Sequence, residues 1–100
     1  MGNSDLDFLA TLEGVIRDRL ENPDDSSYTA SLAASGTGRI AQKVGEEGVE
    51  LALAAVAGDR DDVIDEAADL VYHLLVLLQA RELSLGDVVA RLQQRHSKRA

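Results

Sequence analysis

One hundred residues, 45% apolar and 28% charged, are enough for one domain with one core and too apolar for wholesale disorder. A formal charge of −8, from 18 acids against 10 bases, argues against binding a nucleic-acid backbone, and the absence of cysteine excludes disulfides, zinc–thiolate sites and thiol nucleophiles. No stretch approaches the roughly 20 apolar residues of a membrane span, and the opening MGNSDLDF has no signal-peptide character, so a cytoplasmic protein without a membrane partner is expected.

Aromatic residues make up only 3% of the chain and the apolar ones are mainly Leu, Ala and Val, which favours helices over a β-sandwich. The first predicted helix runs from about Asp5 to Glu21, with Leu6, Leu9, Leu12, Ile16 and Leu20 at three- and four-residue spacing and Ser4 as N-cap. Asn22-Pro23-Asp24-Asp25-Ser26-Ser27 reads as a loop. Residues 28–38 hold a short helical turn followed by a glycine break. The second helix spans about Arg39 to Ala57 with the stripe Ile40, Val44, Leu51 and Ala55, and Gly58 closes it. The third is capped by Asp59, with Asp62 three residues on, and runs to about Glu82. A fourth starts at Ser84, with Asp87 three residues on, and continues through Val88, Val89 and Leu92. Residues 1–4 and 96–100 are expected to fray.

The expected fold is therefore a single all-α bundle of four to five helices over residues 1–100. From Ala67 to Ala80 the third helix is apolar almost all round, and such a helix has to be covered all round. A central helix in a compact monomer is one solution. Completion of the core by a second copy is the favoured one, giving a homodimer or a dimer of dimers.

The charge is localised. Residues 46–69 contain nine acids and one base, and the other 76 residues balance to zero. On a helical wheel Lys43, Glu46, Glu47 and Glu50 fall within an arc of roughly 100°, and Asp62, Glu66, Asp69 and His73 within about 60°. The two helices are joined by a residue or two, so they form an antiparallel hairpin. Glu50 stands eight residues before Gly58 and Glu66 eight after it, which puts the two acidic faces at one level. Carboxylates gathered beside apolar positions repel one another unless a cation neutralises them, and oxygen donors suit Mg²⁺ or Mn²⁺. Asp59 and Asp61 have a simpler role as acids in a first helical turn.

At these residues the chain resembles a known family. Glu46-Glu47-Gly48-Val49-Glu50, fifteen residues, then Glu66-Ala67-Ala68-Asp69 is similar to the EExxE…ExxD signature of the all-α, MazG-like nucleoside-triphosphate pyrophosphohydrolases. Tyr28-Thr29-Ala30-Ser31-Leu32, Ser35-Gly36-Thr37, Gln42-Lys43-Val44-Gly45-Glu46-Glu47 and the run from Glu66 to Leu78 resemble the phosphoribosyl-ATP pyrophosphohydrolase family of histidine biosynthesis. The likeness extends from Leu6 to about Arg95. Gly48 departs from it, since the family more often has alanine there; glycine costs a helix roughly 1 kcal/mol but removes no ligand.

The resemblance implies hydrolysis of phosphoribosyl-ATP to phosphoribosyl-AMP and pyrophosphate, with Glu47, Glu50, Glu66 and Asp69 as ligands to Mg²⁺ (or Mn²⁺). Glu46 is the candidate to orient or deprotonate the attacking water, or else stands behind the ligands. Lys43 either contacts phosphate or pairs with Glu47 at i,i+4. His73 supports the site and substrate or is a satisfied core histidine. Ser31, Ser35, Thr37 and Arg39 precede the second helix and either hold ribose and phosphate oxygens or serve ordinary turn chemistry. The basic end (Arg91, Arg95, Lys98, Arg99) is a solvated helix terminus or reaches a neighbouring subunit's substrate. Two other readings compete: a house-cleaning enzyme acting on free (d)NTPs, and a non-catalytic helical dimer that binds metal or a partner.

Overall fold

The computed structural model describes residues 3–24 and 26–99, and among these it contains five helices and no strand: α1 (Asn3–Glu21), α2 (Tyr28–Ala34), α3 (Thr37–Ala57), α4 (Arg60–Ala80) and α5 (Leu85–Arg99). Asp25 of the expected loop lies outside the described residues, as do residues 1, 2 and 100 of the expected frayed ends. α1 begins at Asn3, so Ser4, expected as its cap, stands inside the helix.

Helix ends follow local chemistry. Ser27 caps α2 by accepting the Ala30 N–H at 3.2 Å, which turns the short helical segment expected over 28–38 into a seven-residue helix. Gly36, at φ +97°, reverses the chain in a conformation closed to most side chains, and α3 therefore starts at Thr37, two residues before its expected beginning. Asp59 and Asp62 form a complete capping box: the Asp62 N–H donates to Asp59 Oδ1 at 2.9 Å and the Asp59 N–H to Asp62 Oδ2 at 3.1 Å. Ser84 and Asp87 repeat the arrangement at α5.

α4 stops at Ala80, short of the expected Glu82. The Leu83 N–H donates to the Leu78 carbonyl at 2.8 Å and the Glu82 N–H to that of Gln79 at 3.0 Å, the two bonds of a Schellman cap. Its left-handed residue is Glu82, at φ +60°. Glycine normally marks that position, and its absence is why the sequence showed no stop there.

The core lies where four helices meet. Ile16 of α1, Leu32 of α2, Ile40 of α3 and Leu75 and Val76 of α4 form one buried cluster, with Leu9, Leu12, Leu20, Tyr72, Leu77 and Leu85 packed around it. α3 and α4 make the most extensive pairing, an antiparallel hairpin closed by Gly58 and Asp59. A Cβ at Gly58 would stand 2.9 Å from both the Ala54 carbonyl oxygen and Asp62 Oδ2, so the tightness of this turn requires glycine. α5 is attached at its beginning. The buried Glu13 of α1 accepts the Leu85 N–H at 2.6 Å and Gln79 Nε2 at 3.4 Å, while Gln79 Oε1 accepts Arg17 Nε at 3.2 Å. From Arg91 to Lys98 every residue of α5 is exposed.

The hairpin extends beyond the shared core. The radius of gyration is 15.0 Å, against about 13 Å for a compact 100-residue domain. Val49, Leu53 and Val56, on the face of α3 turned away from α4, are 62%, 63% and 88% exposed, and Ile64 and Val71 of α4 are exposed as well.

Candidate metal centre

The acidic faces meet as their wheels require. Glu47 of α3 and Glu66 and Asp69 of α4 each place a carboxylate oxygen within 4.8 Å of the others. Glu66 and Asp69 are one turn apart on α4, and Glu47 reaches across the hairpin. Glu47 and Glu66 are half-buried and Asp69 is exposed, so the cluster opens to solvent on one side.

The electrostatics show how closely these charges crowd. Glu66 holds its proton above the ordinary carboxylate range, first because burial disfavours its charged form and then because Glu50, Asp69, Glu47 and Asp65 repel it. Glu50, the fourth expected ligand, is exposed and outside the three-residue cluster, yet its charge is the strongest single repulsion felt by Glu66. Asp62, on the same arc, is engaged in the capping box.

Lys43 provides the local counter-charge. Its Nζ lies 3.5 Å from Glu47 Oε1 and 3.8 Å from Glu46 Oε1, so the structure shows the ion pair rather than a free ammonium. Glu46 is exposed and also accepts Gln42 Nε2 at 3.0 Å. One carboxylate of the pair Glu46-Glu47 thus turns into the hairpin seam and the other stands at its rim.

His73 matches the second of its two readings, the satisfied core histidine. It is buried, its Nδ1 lies 2.7 Å from the Asp69 carbonyl oxygen, and its Nε2 lies 2.7 Å from the Tyr28 hydroxyl. A carbonyl can only accept, so Nδ1 carries the proton, and in the neutral ring Nε2 accepts from Tyr28. Both nitrogens are occupied, and His73 offers no ring nitrogen to a substrate. The missed residue is its partner. Tyr28 lies 45 positions away in sequence, and no spacing rule connects the two. Beside it the Thr29 and Tyr72 hydroxyls are hydrogen-bonded to each other.

Ser31, Thr37 and Arg39 are exposed and lie outside the three-residue cluster. Ser31 follows Tyr28 by one turn of α2. Ser35 Oγ donates to the Leu32 carbonyl at 2.6 Å, so its hydroxyl proton serves the end of α2 while its lone pairs stay available. A cleft of about 710 Å³ bounded by Arg17, Gly36, Thr37, Gln79 and Asp87 lies at the end of the bundle away from the Gly58 turn and holds none of the clustered carboxylates.

What the arrangement offers is three hard oxygen donors converging on one point beside a half-buried seam. Among the described residues no helix is long and apolar enough to cross a membrane. Over residues 9–96 the chain matches the family described as phosphoribosyl-ATP pyrophosphohydrolase. It is 59% identical over 91 residues to the histidine biosynthesis bifunctional protein HisIE of Photobacterium profundum, covering 91% of this chain and 44% of that protein. It is 57% identical over 95 residues to the protein of the same name from Yersinia pestis, covering 95% and 47%. A third, from Campylobacter jejuni subsp. jejuni, is 56% identical over 94 residues, covering 94% and 45%. The chain spans a little under half the length of the curated relatives it matches.

Proposed function

We infer that this chain, which belongs to the phosphoribosyl-ATP pyrophosphohydrolase family, hydrolyses phosphoribosyl-ATP to phosphoribosyl-AMP and pyrophosphate in histidine biosynthesis. The observation that carries the reading is the convergence of Glu47, Glu66 and Asp69 within a chain that matches the family from residue 9 to residue 96. We assign its action to the cytoplasm because the relatives it matches are proteins of histidine biosynthesis.

A triphosphate does not approach bare carboxylates, so this chemistry needs a divalent cation. The residues present fit one: three carboxylate oxygens reach a common point, and hard donors of this kind suit Mg²⁺ or Mn²⁺. Glu47, Glu66 and Asp69 would hold it, with Glu50 as the fourth ligand. When bound, the ion neutralises charge, polarises the phosphoryl oxygens and acidifies coordinated water.

The chain's own groups supply the rest. Glu46, steadied by Gln42 and Lys43, is the group we assign to orient the attacking water or take its proton. Water adds to the α-phosphorus, the bond from that phosphorus to the bridging oxygen breaks, and pyrophosphate leaves. Lys43 keeps Glu46 and Glu47 in register, and Ser31, Ser35, Thr37 and Arg39 are available to ribose and phosphate oxygens. Incubation with phosphoribosyl-ATP, dUTP and dCTP is the direct test. Pyrophosphate release from phosphoribosyl-ATP is expected, and turnover confined to the free nucleotides would overturn the assignment.

The same reading includes a homodimer, alone or as a dimer of dimers. Its support is the exposed stripe Val49, Leu53 and Val56 together with Ile64 and Val71. These residues leave the distal hairpin a two-helix unit without a core of its own. Sedimentation equilibrium is expected to give a multiple of the 10.7-kDa chain mass; a species of 10.7 kDa at micromolar concentration would remove the dimer.

A further inference from the structure

The chain has three aromatic residues, and they are placed very differently. Phe8 lies on the exposed side of α1, and Tyr72 is half-buried with its hydroxyl against Thr29. Tyr28 is 53% exposed yet anchored on the buried His73, by the 2.7 Å hydrogen bond from its hydroxyl to His73 Nε2.

The ring is held on more than one side. The His73 ring stands edge-on to it, with centroids 5.8 Å apart and planes at 85°, and the Tyr72 ring is tilted against it at 6.4 Å. His73 stands one turn beyond Asp69 and donates to the Asp69 carbonyl. An oriented and partly open aromatic surface therefore sits one hydrogen-bonded residue away from the carboxylate cluster. A tyrosine that serves packing alone is expected to be mostly buried, whereas Tyr28 is 53% exposed while its hydroxyl is tied to the buried His73.

We propose that Tyr28 is the platform on which the adenine base of the substrate stacks while the triphosphate lies at Glu47, Glu66 and Asp69. The proposal rests on the hydrolase reading and adds to it the residue that requires a base. A π-face stacks on any base, so Tyr28 sets the need for a nucleoside rather than the choice among bases. Its hydroxyl fixes the angle of the ring through His73, and Ser31, one turn along α2, is exposed beside it.

Kinetics of Tyr28→Leu and Tyr28→Phe with phosphoribosyl-ATP, alongside inhibition by AMP and by inorganic tripolyphosphate, test it. Tyr28→Leu is expected to raise KM and the AMP inhibition constant by about ten- to a hundredfold. Its kcat should stay within about threefold of wild type and its tripolyphosphate inhibition constant should not change. Tyr28→Phe, which keeps the ring but loses the hydroxyl that sets its angle, should raise KM by less than Tyr28→Leu does, and a rise equal to that of Tyr28→Leu would overturn the stacking role of the ring. An unchanged KM in Tyr28→Leu would overturn the proposal. So would a parallel rise in the tripolyphosphate constant, because Tyr28 would then only position the carboxylates through His73. Absence of wild-type turnover would instead overturn the hydrolase reading. Calorimetric titration of Mg²⁺-ATP into wild type and Tyr28→Leu decides the platform in either case: about tenfold weaker binding by the variant supports it and equal binding overturns it.

Discussion

Glu66→Gln is expected to reduce Mg²⁺-dependent pyrophosphate release from phosphoribosyl-ATP by about 10²- to 10³-fold, the scale on which loss of one preorganised electrostatic group is felt. In EDTA at pH 7 the same change is expected to raise Tm. The sign follows from the direction of the shift. Burial and the charges of Glu50, Asp69, Glu47 and Asp65 raise the proton affinity of Glu66 in the folded state. Between the ordinary carboxylate value and that raised value, the folded chain binds more protons than the unfolded one, so stability falls as pH rises through this window and stays lowered above it. Glutamine keeps the shape and removes the charge. With millimolar Mg²⁺ the order should reverse, because only the wild type gains the full stabilisation of the bound ion. Scanning fluorimetry of both proteins, with EDTA and with Mg²⁺, checks this. A variant less stable than wild type in EDTA would show that the cluster is not strained by its own charge.

Leu75→Ala is expected to lower the unfolding free energy by about 3 kcal/mol and Tm by roughly 12–24 °C. Leu75 is 0% exposed and lies in the cluster that joins α1, α2, α3 and α4, so the space left by its removal has packed walls on every side. Urea unfolding with an unchanged slope measures the loss. Turnover per folded molecule should remain within about threefold, because none of Glu47, Glu66 and Asp69 belongs to that cluster. A loss below about 1 kcal/mol would show that the four helices do not depend on this contact.

Features that depend on near neighbours were legible in the sequence. The acids of Asp59 and Asp62, and the serine and acid of Ser84 and Asp87, mark helix starts because a capping box needs residues three apart and nothing else. The meeting of two acidic faces was legible for the same reason, although counting from the turn set Glu50 opposite Glu66 whereas the cluster takes Glu47, one turn earlier. Features that depend on distant partners were not. Ser27 caps a helix too short to show a period. The Glu82 turn has no glycine to announce it. The bond from His73 to Tyr28 and the seat of the Leu85 N–H on Glu13 join residues 45 and 72 positions apart. His73 shows the difference most clearly, since its wheel position and its Nδ1 bond to the Asp69 carbonyl are local to α4, while its Nε2 belongs to a contact with α2.

The tight turn at Gly58 and Asp59 also bears on the order in which the molecule assembles. Every carboxylate of the proposed metal site lies within the α3–α4 hairpin, with Glu47 and Glu66 only 19 positions apart. Short loops close first, and contacts of low sequence separation form before those that recruit distant segments. The hairpin is therefore expected to zip ahead of the docking of α1, bringing the like charges together before most of the core exists to hold them. If the proposed site takes a divalent cation, that ion should speed folding as well as stabilise the finished structure, and stopped-flow refolding with Mg²⁺ and with EDTA measures the difference.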